Sequence, residues 1–241
     1  CEEADVTSTE AIVGDFNGDG MAELYNSYYF QRYFSNRDHC LVQSVTNGLN
    51  QKMSFSYTPL TDADVYSKGS GAQYPVADLQ GPLYVLSSAA TGSGTGELTE
   101  NSFTYSGAKL HQQGRGLLGF TKINASNSST GLETIKTFEY NTDYFFPRIQ
   151  KLEIKSSGDT AYVETYTNSV ITNGNGRIFP YVSEAEKNYT LEDIVITTMY
   201  EYDTCGNAQK IITDYDGEAS DTLTNTFTAS GSWCPSRITL S

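Results

Sequence analysis

The chain has 241 residues, enough for one large domain or two modest ones with a sizeable core. Fifteen Lys and Arg face 29 Asp and Glu, and the net charge of −14 excludes the basic patch of a nucleic-acid binder and electrostatic docking on an anionic leaflet. With 18% charged residues, 12% aromatics, 18 Tyr and 21 Gly, this is a folding chain rather than a disordered tail, and no apolar run approaches the ~20 residues of a membrane helix.

The start, Cys1-Glu2-Glu3-Ala4, carries neither the basic n-region nor the apolar h-region of a signal peptide. It is expected to be a mature N-terminus, with Cys1 open to lipid anchoring, or a piece of a longer chain. Ala11-Ile12-Val13 reads as a strand, and the loop Asp15-Phe16-Asn17-Gly18-Asp19-Gly20-Met21-Ala22-Glu23 follows it. Oxygen-bearing side chains stand at loop positions 1, 3, 5 and 9, and Gly20 at position 6 permits the sharp turn that gathers them. Calcium is a hard cation that takes six to eight oxygens. The expected ligands are the side chains of Asp15, Asn17, Asp19 and Glu23 and the Met21 carbonyl. Position 12 is Asn26 and the flank is strand-like, so the loop is not an EF-hand but a short turn between strands. An ion there would brace the turn rather than catalyse. The alternative is an Asn/Asp/Gly-rich hairpin turn without an ion.

Downstream the periodicity is two almost throughout. Met53, Phe55 and Tyr57 share one face of Lys52–Tyr57, and Ile194, Ile196, Thr198, Tyr200 and Tyr202 share one face of a later run. Residues 81–87, 134–140, 149–154, 161–167 and 223–228 read as further strands, rich in Tyr, Thr, Val, Ile and Phe. Turn pairs separate them, among them Asn47-Gly48, Ser157-Gly158 and Asp216-Gly217. No stretch of ten residues carries a helical apolar stripe; at most a helical turn or two is expected near Thr61–Val65. The fold class is all-β, built from serial antiparallel hairpins whose edges must be closed, stacked or covered.

Four cysteines without a C-x-x-C pair do not form a zinc signature. Cys205 and Cys234 flank what reads as one hairpin and are the expected disulfide; two buried free thiols are the alternative. Catalytic constellations are not legible. The two histidines are His39, beside Cys40, and His111. Adjacent residues on a strand point to opposite faces, so His39 and Cys40 do not make a dyad. Both histidines are expected to be surface or packed groups. Gly114-Arg115-Gly116-Leu117-Leu118-Gly119-Phe120 lacks the strand and helix of a nucleotide loop and reads as a glycine turn followed by a buried strand. With 29 carboxylates, a chance pair in a groove carries no weight as a glycosidase signal.

Several motifs nevertheless fall in a familiar order. The Asp15–Glu23 loop is similar to the calcium loop of an FG-GAP/VCBS propeller blade. Leu41–Leu49 and Ser56–Asp62 resemble the junction where such a propeller hands over to a long sheet. Tyr74-Pro75-Val76, Pro82–Ser88, Tyr105–His111 and Gly114–Phe120 continue the series. Tyr200-Glu201-Tyr202-Asp203-Thr204-Cys205-Gly206-Asn207 looks like a YD-repeat unit, and Trp233-Cys234-Pro235-Ser236-Arg237-Ile238 like the segment that closes one. Over residues 10–241 the chain thus resembles the Rhs/YD-repeat proteins of the bacterial SpvB and Tc-toxin B-component type.

The resemblance implies a division into residues 1–38, the end of a calcium-loop propeller blade, and 39–241, a large curved sheet of Rhs β-shell strips. It implies a non-enzymatic wall segment of a secreted or cell-surface bacterial toxin, whose shell encloses an effector. The partner is then the rest of its own parent chain or a toxin-complex protein, with no nucleic acid, no direct membrane insertion and no small-molecule substrate. A calcium-stabilised binding, adhesion or self-assembling module is the alternative.

Overall fold

The computed structural model describes residues 11–26, 30–32, 41–92, 98–172, 176–229 and 236–239. Every regular element described is a β-strand. In the first part these are β1 (Ala11–Gly14), β2 (Glu23–Asn26), β3 (Phe30–Arg32), β4 (Ser44–Thr46), β5 (Lys52–Pro59), β6 (Tyr66–Ser67) and β7 (Val76–Asp78). Then come β8 (Tyr84–Gly92), β9 (Leu98–Ser106), β10 (Lys109–His111), β11 (Gly116–Gly119), β12 (Lys122–Asn127) and β13 (Leu132–Tyr140). The last are β14 (Pro147–Ser156), β15 (Asp159–Thr172), β16 (Ile178–Tyr189), β17 (Ile194–Tyr202), β18 (Ala208–Tyr215), β19 (Ala219–Thr224), β20 (Thr226–Ala229) and β21 (Ser236–Thr239).

Thirteen strands form one sheet in the order β19-β18-β17-β16-β15-β14-β13-β12-β9-β8-β5-β4, with β6 attached to β9 in parallel. Nearly every step is an antiparallel neighbour in sequence, as serial hairpins require. Smaller sheets are β1-β2-β3, β11-β10-β7 and β20-β21. The chain divides into two compact units, Cys1–Phe120 with Ala125–Ser129, and Thr121–Asn124 with Thr130–Ser241.

The first unit has a small dense core. Leu60 and Ala108 are fully buried and Tyr66 nearly so, with Leu79, Val85, Tyr105 and Phe120 packed against them. The Tyr66 hydroxyl donates to the Leu79 carbonyl at 2.6 Å and accepts the Ala108 N–H at 3.0 Å, so its polar end is satisfied inside an apolar cluster. The Tyr105 ring lies 4.8 Å from that of Phe120. This cluster joins the long sheet to the β7-β10-β11 sheet.

The second unit is a meander. Ser157-Gly158 and Asp216-Gly217 have positive φ at both residues (52° and 95°, 57° and 73°), the primed-turn backbone that matches strand twist. Ladders β13–β14, β14–β15, β15–β16 and β17–β18 each contain a register shift, which bends the strands locally. Between β14 and β15 the pairing stops at Lys151↔Thr165, whereas β15 continues on β16 to Thr172↔Ile178. Where the strands part, side chains replace the ladder: Asn168 Nδ2 donates to the Ile149 carbonyl at 2.8 Å, and Arg148 Nη1 donates to the Ser169 carbonyl.

The expected strands are present, with shifted ends: 81–87 becomes Tyr84–Gly92, and 223–228 is split between β19 and β20. Asn225 makes that split, its N–H donating to the Gln209 carbonyl and its side chain to that of Ala208. No helix forms near Thr61–Val65. Isolated turns do, through Asp62 N–H to Pro59 and Tyr66 N–H to Asp62, because the chain is drawn straight into β6. In the Gly116–Gly119 strand Leu118 is buried as expected, but Leu117 is exposed on the other face. The expected 38/39 boundary falls outside the described residues.

Candidate metal centre

The loop between β1 and β2 starts and ends on one ladder pair, Gly14↔Glu23, so residues 15–22 must reverse the chain within it. Asp15 organises the reversal. Its Oδ1 accepts the Gly18 and Asp19 N–H groups at 2.7 and 3.0 Å, and its Oδ2 accepts that of Gly20 at 2.7 Å. Asn17 Oδ1 also accepts from Asp19 N–H, its Nδ2 donates to Asp19 Oδ2, and Asp19 Oδ1 accepts from Met21 N–H. Gly18 and Gly20 lie at φ 75° and 79°, which residues with a Cβ adopt only under strain.

Glu23 is fully buried, and its Oε2 accepts the Phe16 N–H at 2.9 Å. Burying a carboxylate is costly unless it is hydrogen-bonded or neutralised. Ligand oxygens of Asp15, Asp19 and Glu23 lie within 4.8 Å of one another. Three of the expected ligands are therefore gathered, with Asn17 tied to Asp19 and Met21 closing the turn through its N–H. The donor set is all oxygen and carries three carboxylates, which fits a hard divalent cation rather than a soft metal. Asp15 spends three of about four acceptor positions on backbone N–H groups, leaving room for one bond to an ion.

Two contacts that sequence reasoning missed hold this loop from outside. Thr61 Oγ1 donates to the Gly18 carbonyl at 2.6 Å, and the Tyr84 hydroxyl donates to the Asp19 carbonyl at 2.9 Å. They stand 43 and 65 residues from their acceptors, so no local pattern signals them.

The remaining candidates read as structure. His111 is buried, and its Nδ1 accepts the Gln113 N–H at 3.3 Å. His39, Cys40 and Cys234 lie outside the described residues. Cys205 is disulfide-bonded. It sits in a turn built by Asp203, whose Oδ1 accepts the Cys205 and Asn207 N–H groups and whose Oδ2 accepts the Asn207 amide. Tyr202, just before the turn, packs 5.5 Å from Phe179 and 4.9 Å from Tyr181. On β15, Glu164 accepts the Tyr162 hydroxyl at 2.8 Å, with Lys187 Nζ 4.0 Å away. Burial and then Glu164 push both neighbouring phenols up, Tyr166 to about 12. Both hydroxyls stay protonated at neutral pH, and that of Tyr162 is a donor to Glu164.

A family model described as the insecticide toxin TcdB middle/N-terminal region matches residues 3–147, more than half of the chain. The chain belongs to this family. The match takes in the Asp15–Glu23 loop, the dense core and every strand to β13, and ends on the first residue of β14. No curated protein and no solved structure matches the chain. Family membership makes this a Tc-toxin-like component, and no helix described is long and apolar enough to cross a membrane.

Proposed function

We propose that the chain is a non-enzymatic structural segment of a secreted toxin protein of the Rhs/SpvB-like kind, in which a calcium-braced hairpin leads into the wall of a β-shell around an effector. The observation that carries this reading is the ladder. One sheet runs from β4, inside the family-matched region, to β19, well beyond it, and most of its neighbours are consecutive strands. Such a sheet extends by adding strips and needs no catalytic cleft. The aromatic stack of Phe179, Tyr181 and Tyr202 over the Asp203 turn supports a YD-type strip, because it gives both letters of that signature a packing role.

Calcium at Asp15, Asn17, Asp19, Glu23 and the Met21 carbonyl would supply a charge that offsets the gathered carboxylates. Raising calcium should raise the melting temperature of the wild type, since an ion that binds only the folded state adds stability by mass action. Asp19→Ala should abolish the shift, and an unshifted wild-type melt removes calcium from the proposal.

A second reading is a binding module. It is favoured by the exposed apolar side chains of the first hairpin, Ile12 at 61% and Val13 at 68%, which point to opposite faces of β1. Intact mass and peptide mapping of the protein from its source separate the two. Peptides on both sides within a far larger parent chain fit the wall segment, and a mature 26.5 kDa chain fits the module.

A further inference from the structure

We infer that Thr61 and Tyr84 are positioning residues for the calcium loop, so that ion binding and docking of the loop on the long sheet are one coupled equilibrium. This deepens the calcium reading above and rests on it. Both residues bond backbone carbonyls of the loop itself, at Gly18 and Asp19, in the middle of the ligand run. The fit is close: a Cβ on Gly18 would come within 2.9 Å of the Thr61 methyl, so loop and sheet meet through a position kept bare.

The platform behind the two donors is anchored on one fully buried side chain, Leu60. Thr61 follows the fully buried Leu60, Tyr84 follows Leu83, and the Leu60 N–H donates to the Leu83 carbonyl at 2.9 Å. Pro59 and Tyr84 are ladder partners between β5 and β8. The donors are thus fixed relative to each other before the loop arrives. A loop held in this shape keeps Asp15, Asp19 and Glu23 gathered, whereas a released loop spends part of its time in arrangements unable to bind. Apparent affinity falls by that fraction. By reciprocity, the ion must tighten the docking by the same factor.

The test is calcium titration calorimetry on the whole 241-residue chain and on Thr61→Val, Tyr84→Phe, their double variant and Thr61→Ser. Metal-free melts of each report folding separately. Removing one neutral hydrogen bond should weaken calcium binding about three- to tenfold, and the double variant more, with Thr61→Ser close to wild type because it keeps the hydroxyl. Hydrogen exchange gives the reciprocal readout: calcium should slow exchange of the Leu60 amide in wild type and lose that effect in the double variant. Equal calcium affinity in all the chains overturns the coupling and leaves the calcium site standing. No calcium binding by wild type overturns both.

Discussion

The two units of the chain are held together by different physics. In the first, a few side chains from distant strands close a dense core, and hydroxyls of Tyr66, Thr61 and Tyr84 reach backbone carbonyls 13, 43 and 65 residues away. In the second, the residues fully removed from water are few. Ile135 and Ala185 are the buried apolar side chains among those described, and neighbouring strands are joined by ladders and cross-strand pairs. A region of the first kind fails at single points. A region of the second kind spreads its stability over many small contributions, each of about 0.2–1 kcal/mol per pair.

Truncation should expose this difference most sharply. Leu60→Ala opens a hole where nothing on the surface can move in, and should cost about 2–5 kcal/mol. Ile135→Ala removes the same number of carbons from a ladder position that keeps some exposure and should cost about 2 kcal/mol, the low end of that range. Urea unfolding followed by circular dichroism checks both. Equal losses from the two variants would show that the dense core is no more critical than the meander. Selective loss of one transition in Leu60→Ala would show the units unfolding separately.

The second unit has one point of the opposite character, and it sharpens the contrast. Gly206 lies at φ 86° in the Asp203 turn, and a Cβ there would sit 3.0 Å from the Phe179 ring. Gly206→Ala therefore combines left-handed backbone strain of about 1–2 kcal/mol with a push on the aromatic stack. We expect a drop in melting temperature together with altered near-ultraviolet dichroism from Tyr202 and Tyr181. An unchanged spectrum would mean that the stack and turn are independent.

The two units also differ in how much of them the sequence discloses. The meander is legible because its information is local: period-two alternation, glycine turns such as Ser157-Gly158 and Asp216-Gly217, and an Asp two residues from the N–H it caps. Ile194–Tyr202 is read to the residue for that reason. The gathering of carboxylates in the first hairpin turn is legible on the same ground, since Asp15, Asn17, Asp19 and Glu23 lie within nine residues. The dense core is not. Tyr66, Leu79 and Ala108 are joined across more than forty residues, β6 and β7 are two and three residues long, and neither is long enough to show a period. Thr61 and Tyr84 escape for the same reason, because a side chain bonded to a distant carbonyl leaves no spacing behind.

Acid should touch both units, but through different groups. In the first, the Lys109 ammonium bonded to Asp78, with help from the Ala72 N–H, holds the Asp78 carboxyl below the usual carboxylate range. In the second, Lys151 does the same for Glu153. Burial opposes the lowering at Asp203, where bonds from the Asn207 side chain and backbone prevail. A carboxyl whose folded value is depressed stabilises the fold fully above its unfolded value, near 4, and loses that contribution as pH falls through the folded value. Stability should thus be flat at neutral pH with respect to these groups and decline below about pH 5. Asp78→Asn should lower stability at pH 7 and flatten the acid slope of the first unit alone. The expected loss is about 1–2 kcal/mol, since the Asn amide can still accept from the Ala72 N–H while the charge-assisted bond to Lys109 is gone. Melts of wild type and Asp78→Asn between pH 7 and 3 measure it, and parallel curves would show that the ion pair contributes nothing that acid can remove.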